Sequence, residues 1–408
     1  MPFSPQKPIS TGEFISLLAM MISIVALSTD VMLPGLGVIG RDLAVSDVND
    51  SQLVISSLFA GYAVGQMLAG PVSDCYGRKP VIYAGYMVFI IGCLLSAFAS
   101  SFSMMLIGRV LQGLGAAAPR IVSIALVRDG YEGRAMARIM SFVLAVFVIV
   151  PAIAPAIGQG VMMVSGWRMM FGLLIAMAVV SAVWFAWRQP ETLPRNARRD
   201  FSIGGILSGI SEACRYRTAV GYTLAAGLIF GAFLGYLSSA RQIFQTSFNT
   251  GSLFPLYFGT AALAIGAASV LNGKLVMRLG MRLLTHRALI ATTLISMAML
   301  IAIWTVNGIV PLWLFMTWLL TNFFCMGILF GNLNALAMEP LGHMAGLGAA
   351  LIGAISTFIA LPLGWAVGNS FTGGVTPLVA GFALMGGLSW LVMAWTEAKP
   401  QGADNPQK

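Results

Sequence analysis

Asp30 and Arg109 stand inside apolar stretches of this chain, and chemistry is to be expected of them first. A charge in hydrocarbon is costly, so an ionisable residue within a membrane span is functional by default. Of the 14 acidic residues, Asp30 alone falls inside an apolar run; Glu13, Asp74, Glu339 and Glu397 sit at the inner ends of such runs. Asp30 precedes Pro34 by four residues, which puts it about 6 Å from the outer end of its helix. Arg109 lies at a similar depth, about 9 Å in. An acid that can be neutral or charged beside a fixed positive partner has the chemistry of proton carriage, with Arg109 setting the acidity of Asp30. A permanent structural ion pair is the alternative.

Other polar groups lie in the apolar runs. Tyr62 and Gln66 are four apart and share a helix face. Gln66 and Gln112 either line a cavity or bond across helices. Asn322, Asn332 and Asn334 are the polar groups of the second half of the chain. Arg120, after Pro119, is either functional or a side chain that reaches back toward the inner surface. His286 and His343 have no metal or catalytic partner in sequence, and Cys75, Cys93, Cys214 and Cys325 show no metal-ligand spacing.

The elements that must hold these residues follow from composition. The 408 residues are 58% hydrophobic and 9% charged, against roughly 25% charged in a soluble domain. A helix needs about 20 apolar residues to cross a bilayer. Twelve runs fit: 14–34, 51–70, 80–99, 103–127, 139–160, 168–188, 217–239, 253–275, 288–305, 311–337, 346–369 and 375–396. The first reads as a retained span, not a cleaved leader. Open strands are excluded, because unpaired backbone groups in lipid cost several kcal/mol each. With the N-terminus inside, 18 Lys and Arg residues fall on the inner side and only Arg41, Arg168 and Arg241 outside. That asymmetry predicts both termini in the cytoplasm. It also assigns the net charge of +9 to topology and anionic headgroups, not to nucleic acid.

The longest inner connection, around QPETLPRNARRD, falls at the chain's midpoint. Gly70 and Gly77, followed by Arg78 and Lys79, recur as Gly273 and Gly280 near Arg278 and Arg282, each shifted by 203 residues. Six helices per half give a parallel repeat. The expected units are an N-terminal six-helix bundle (1–190), a linker (191–216), a C-terminal bundle (217–396) and a tail (397–408), all-α and related by a pseudo-two-fold axis.

GPVSDCYGRKP, residues 70–80, resembles the signature of the major facilitator superfamily between its second and third helices. Gly70, Asp74, Gly77, Arg78 and Lys79 match, and Cys75 stands where the signature usually has Arg. LIGRVLQGLGAAAPR, with Arg109, Gln112 and Gly113, is similar to the drug:proton antiporter branch. VPAIAPAIGQG resembles that branch's fifth-helix motif, keeping Pro155, Gly158 and Gly160 but with Ala154 for the first glycine and Gln159 interrupting the second pair. STDVMLPGLGVI and HMAGLGAAL are similar to the Bcr/CflA-type (bicyclomycin- and phenicol-resistance) exporters.

The resemblance implies a proton-coupled antiporter of small amphipathic compounds in a bacterial inner membrane, working by alternating access as a monomer without a cofactor. Proton coupling falls to Asp30 and Arg109, and substrate binding to these with Tyr62, Gln66, Gln112, Asn322 and Asn332. Gating falls to the charged hinge, with Asp74 facing the start of the eleventh helix, Arg78 latched to Asp129, and Pro155, Gly158 and Gly160 shaping the fifth. A proton-coupled importer or an exporter of a native metabolite is the alternative. An enzyme is poorly supported, since no Ser/His/Asp, Cys/His or Walker-type pattern is present.

Overall fold

The computed structural model describes residues 9–131, 133–198, 202–308 and 310–398. Most of the expected tail (399–408) and residues 199–201 of the expected linker lie outside the described residues. Among the described residues every regular element is a helix. The first half contains α1 (Thr11–Asp30), α2 (Leu36–Asp42), α3 (Leu53–Tyr76), α4 (Arg78–Ala97), α5 (Phe102–Gly130), α6 (Gly133–Ser165) and α7 (Arg168–Arg188). A connecting helix, α8 (Ile203–Arg215), follows. The second half contains α9 (Arg217–Gln242), α10 (Phe254–Leu279), α11 (Met281–Thr305), α12 (Leu312–Met338), α13 (Ala345–Asn369) and α14 (Thr376–Glu397).

Twelve of these match the twelve apolar runs. Eleven are long and apolar enough to cross a membrane, and α6 adds a shorter apolar stretch, Ile149–Ser165. Their ends follow local chemistry. The Ser10 and Ser101 hydroxyls accept the Glu13 and Met104 amides at 3.2 Å each, supplying partners for N-terminal N–H groups that a helix leaves unpaired.

Lipid does not drive apolar helices together, so packing is set by small residues and hydrogen bonds. In the first half α5 packs on α3 and α4; in the second, α9 packs on α13 and α14, and α10 on α12. The halves meet where α3 lies on α13 and α6 on α10. The apolar stretches of α1 and α9 are each 72% buried and those of α7 and α11 only 33%. The first pair is therefore central and the second peripheral, where lipid covers it.

Candidate functional site

A cavity of about 1080 Å³ lies between the halves. It runs from Asp30, Leu237 and Phe258 to the helix ends at Asp74, Arg128 and Gly346, so it opens toward the side that carries α8. One wall comes from the first half: Asp30, Phe59, Tyr62, Gln66 and Arg120. The other is largely aromatic, formed by Phe230 and Phe233 of α9, Phe258 of α10, and Phe323 and Phe330 of α12. Edge-on and stacked contacts lock these rings, with Phe233 5.7 Å from Phe330 and 6.1 Å from Phe230.

On the opposite side the halves are closed by side-chain amides. Gln52 Nε2 donates to Gln242 Oε1 at 2.8 Å and to the Gly368 carbonyl at 3.1 Å. Gln242 Nε2 donates to Asn49 Oδ1 at 3.1 Å, and Asn49 Nδ2 reaches the Asn369 and Phe371 carbonyls at 3.3 Å. The sequence reading passed over this seal, because two glutamines and an asparagine at helix ends look like ordinary surface residues.

Asp30 ends α1 and is 4% exposed, on the cavity wall near its closed end. Among the described residues no hydrogen bond or ion pair reaches its side chain. The Tyr236 phenol of α9 is fully buried off the cavity wall, within electrostatic reach of the Asp30 carboxyl. Its hydroxyl has no hydrogen-bond partner among the described residues.

The expected pairing of Arg109 with Asp30 is not what the structure holds. Arg109 is completely buried and stands off the cavity wall. Its Nη2 donates to the Ser28 carbonyl at 2.8 Å, Nε to the Val54 carbonyl at 2.9 Å, and Nη1 to Gln112 Oε1 at 2.7 Å. The reason is backbone bookkeeping at the end of a helix, whose last carbonyls lack intrahelical partners. Near the end of α1 the Val31 amide goes to Leu27 and the Met32 amide to Thr29. That leaves the Ser28 carbonyl for the guanidinium. Gln112 completes the cluster by donating to the Gly92 carbonyl and the Ser96 hydroxyl.

Three expected substrate-binding residues thus reach the cavity wall: Asp30, Tyr62 and Gln66. Arg109, Gln112, Asn322 and Asn332 do not. Asn322 is buried within its half, donating to the Trp318 carbonyl and accepting from Ser296. Asn332 exchanges amide hydrogen bonds with Asn272 at 2.9 and 3.2 Å, and Asn272 and Asn334 face the cavity instead. Gln66 Nε2 donates across the halves to Thr357 Oγ1 at 3.2 Å. Arg120 Nη1 donates to the Tyr62 hydroxyl at 2.7 Å.

The charged hinge is a compact ion cluster. Arg78 Nη1 pairs with Asp74 at 2.5 Å and Nε with Asp129 at 2.9 Å, while Ser73 Oγ accepts a third bond at 2.7 Å. Asp74 is therefore engaged within its own half, and it is Arg128 of α5 that lies against Gly346 at the start of α13. Gly77 turns the chain at φ 102°, a conformation that glycine adopts without strain. The Glu191 carboxylate caps α4 here, accepting the Arg78 and Lys79 amides at 2.9 and 3.0 Å. Burial pushes the Glu191 carboxyl toward holding its proton, but the Leu193, Lys79 and Arg78 amides outweigh this and hold its pKa below the usual carboxylate range. Lys79 Nζ adds a bond to the Gln189 carbonyl at 2.7 Å.

In α6, Gly158 lies against α1, where an added Cβ would come 2.1 Å from the Val31 carbonyl oxygen. Gly160 and Gly70 have open space at the same position. Pro155 lies within α6, one turn from Ala152, whose carbonyl meets Gly259 of α10 across the halves.

Comparison with known proteins agrees with this architecture. The chain is 28% identical over 340 residues to the uncharacterized MFS-type transporter YdgK of Bacillus subtilis, covering 83% of this chain and 84% of that protein. It is 27% identical over 359 residues to the bicyclomycin resistance protein homolog of Haemophilus influenzae, covering 85% and 86%. It is 30% identical over 255 residues to the multidrug resistance protein MdtL of Salmonella heidelberg, covering 62% of each. The crystal structure of a D-xylose-proton symporter superposes with a TM-score of 0.75 at 16% identity, covering 97% of this chain and all of that one. The Major Facilitator Superfamily family matches residues 9–364. Twelve helices in two halves around a one-sided cavity, the signature at the charged hinge and this match make the chain a member of the Major Facilitator Superfamily, a transporter and not an enzyme.

Proposed function

We propose that the protein is a proton-coupled antiporter that exports small amphipathic compounds across a bacterial inner membrane. The observation that carries this reading is the position of Asp30. It is the acid at the closed end of a large, partly aromatic cavity, and its side chain has no partner among the described residues. A carboxyl so placed binds a proton or a substrate group as the cavity changes sides. Relatives named for bicyclomycin and multidrug resistance support cargo of the drug type.

In this reading the α8 side is cytoplasmic, as the Lys and Arg distribution requires, and the cavity described here faces the cytoplasm. The bundles at 1–190 and 217–396 rock about the cavity while the linker spans them. Proton uptake by Asp30 from outside releases substrate, and proton loss inside restores binding. Each positive charge moving inward gains about 2.3 kcal/mol per 100 mV. Arg109 acts here as a positioning residue, tying the end of α1 to α3 and α5. The protein functions as a monomer. Asp74, freed from its present geometry, faces the N-terminus of α13 when the cytoplasmic side closes, where helix-end N–H groups favour an anion.

The test is Asp30→Asn in purified, reconstituted protein. Wild type releases protons when substrate binds and concentrates it against its gradient under a pH difference. Asp30→Asn releases none and retains only gradient-free exchange. Concentrative transport by Asp30→Asn would remove the proton site from this residue.

A further inference from the structure

We propose that Tyr236 is the hydrogen-bond donor that lets Asp30 lose its proton while the outer side is shut, an inference that rests on the antiporter reading of the cavity. Asp30 ends α1 in the first half and Tyr236 lies in α9 of the second, so this bond spans the two halves. Leu237, the next residue, lines the closed end of the cavity together with Asp30. The Tyr236 ring is fixed from two sides, stacked on Phe258 at 5.6 Å and edge-on to Phe323 at 4.7 Å. Its hydroxyl is buried and has no partner among the described residues, and the Asp30 carboxyl within its electrostatic reach has none either. A buried polar group without a partner is costly, and folded proteins keep few of them. Two such groups, brought together from opposite halves, complete one hydrogen bond directly or through one water.

The other ionisable groups on the helices around Asp30 are engaged elsewhere. Arg109 of α5 is spent on the Ser28 and Val54 carbonyls and on Gln112. Arg120 of the same helix gives Nη1 to the Tyr62 hydroxyl of α3. On α7, Arg168 lies with Asp42 and Arg188 holds Glu13. Arg134 and Arg138 stand at the far end of α6. On α9, Tyr222 donates to Glu397, and Arg241 lies against Gly37 near Arg41. With the outer side open, outside water solvates the Asp30 carboxylate. Closure removes that water, and a carboxylate buried without a donor is driven to its neutral form. The phenol arrives with the second half and takes the place of the water. A charge-assisted bond is roughly twice as strong as a neutral one, so the phenol favours the ionised carboxyl over the protonated one. The proton then passes into the cavity, at the step where the outer side closes.

The experiment is an infrared titration of the full-length protein in lipid nanodiscs, with the Asp30 carboxyl band assigned as the one lost in Asp30→Asn. Tyr236→Phe removes the hydroxyl and keeps the ring. It moves the titration of that band about one pH unit toward alkaline pH, the size of one charge-assisted hydrogen bond. A phenol that only packs against its neighbours leaves the titration where it is. Should Tyr236→Phe fail to fold, wild type carries the test, through a phenol C–O band that moves as Asp30 titrates and is still in Asp30→Asn. An unshifted titration in Tyr236→Phe, or no phenol band that follows Asp30 in wild type, overturns the assignment. The titration needs no cargo, so its outcome is independent of the transport test of Asp30→Asn. A shifted titration in a protein whose transport ignores the pH gradient keeps the bond between Tyr236 and Asp30 and removes only the antiporter reading.

Discussion

Arg109 gives its guanidinium to the backbone of the helix that ends in Asp30, not to the Asp30 carboxylate: Nη2 meets the Ser28 carbonyl at 2.8 Å. A charge expected to tune the acid instead holds the helix end on which the acid sits. This predicts a structural phenotype. Arg109→Ala orphans the Ser28 carbonyl, one Val54 contact and the Gln112 side chain, each worth about 1–3 kcal/mol when buried and unpaired. The melting temperature of the detergent-purified variant should fall sharply, with Arg109→Lys recovering only part. An unchanged melting temperature, read by scanning fluorimetry, would contradict the positioning role.

The amide seal predicts a shift of conformation. Gln52→Ala removes the bonds to Gln242 and Gly368, worth about 0.5–1.5 kcal/mol each. The state described here should lose several-fold to about a hundredfold in relative population. Cys75 lines the cavity, so its labelling by a water-soluble maleimide, with Cys214 replaced by Ser, should slow. Labelling at the wild-type rate would show that the seal does not hold the outer side shut.

Asp74 predicts the opposite direction. Asp74→Ala leaves the Arg78–Asp129 pair but removes the group assigned to the cytoplasmic latch. In a Cys75→Ser background, a cysteine placed at cavity-lining Asn334 should react faster. No change in rate, with transport intact, would count against a latch.

The two glycines of the α6 motif should separate. Gly158→Ala forces a methyl onto the Val31 carbonyl, whereas Gly160→Ala enters open space. Overpacking of this kind costs about 1–3 kcal/mol. Gly158→Ala should lower the melting temperature by several degrees and Gly160→Ala should not. Equal effects would mean that α1 and α6 do not meet this closely.

Glu191 predicts a pH dependence. Its carboxyl is held below its unfolded value of 4.5, so the stabilisation is present above that pH and is lost as pH falls through the folded value. Glu191→Ala should cost about 0.5–2 kcal/mol at neutral pH, the usual worth of a helix N-cap. The difference from wild type should shrink below pH 4.5. A gap that persists there would show that the carboxylate charge is not what docks the linker on α4.

By itself the sequence determined the twelve spans, because lipid thickness turns each crossing into a local run of about 20 apolar residues. It also marked a repeat, through its paired glycines and basic residues, and singled out Asp30, since an acid in an apolar run is rare enough to be seen without a structure. Only the tertiary structure decided what these residues touch. Arg109 is satisfied by main-chain carbonyls, which every residue carries and no motif marks. Asn322 and Asn332 turn inward among their own helices while Asn334 turns to the cavity, a difference set by helix rotation. The aromatic wall could not be read at all. In a membrane helix a Phe facing lipid and a Phe facing cargo satisfy the same local pattern, and the packing of distant helices chooses between them.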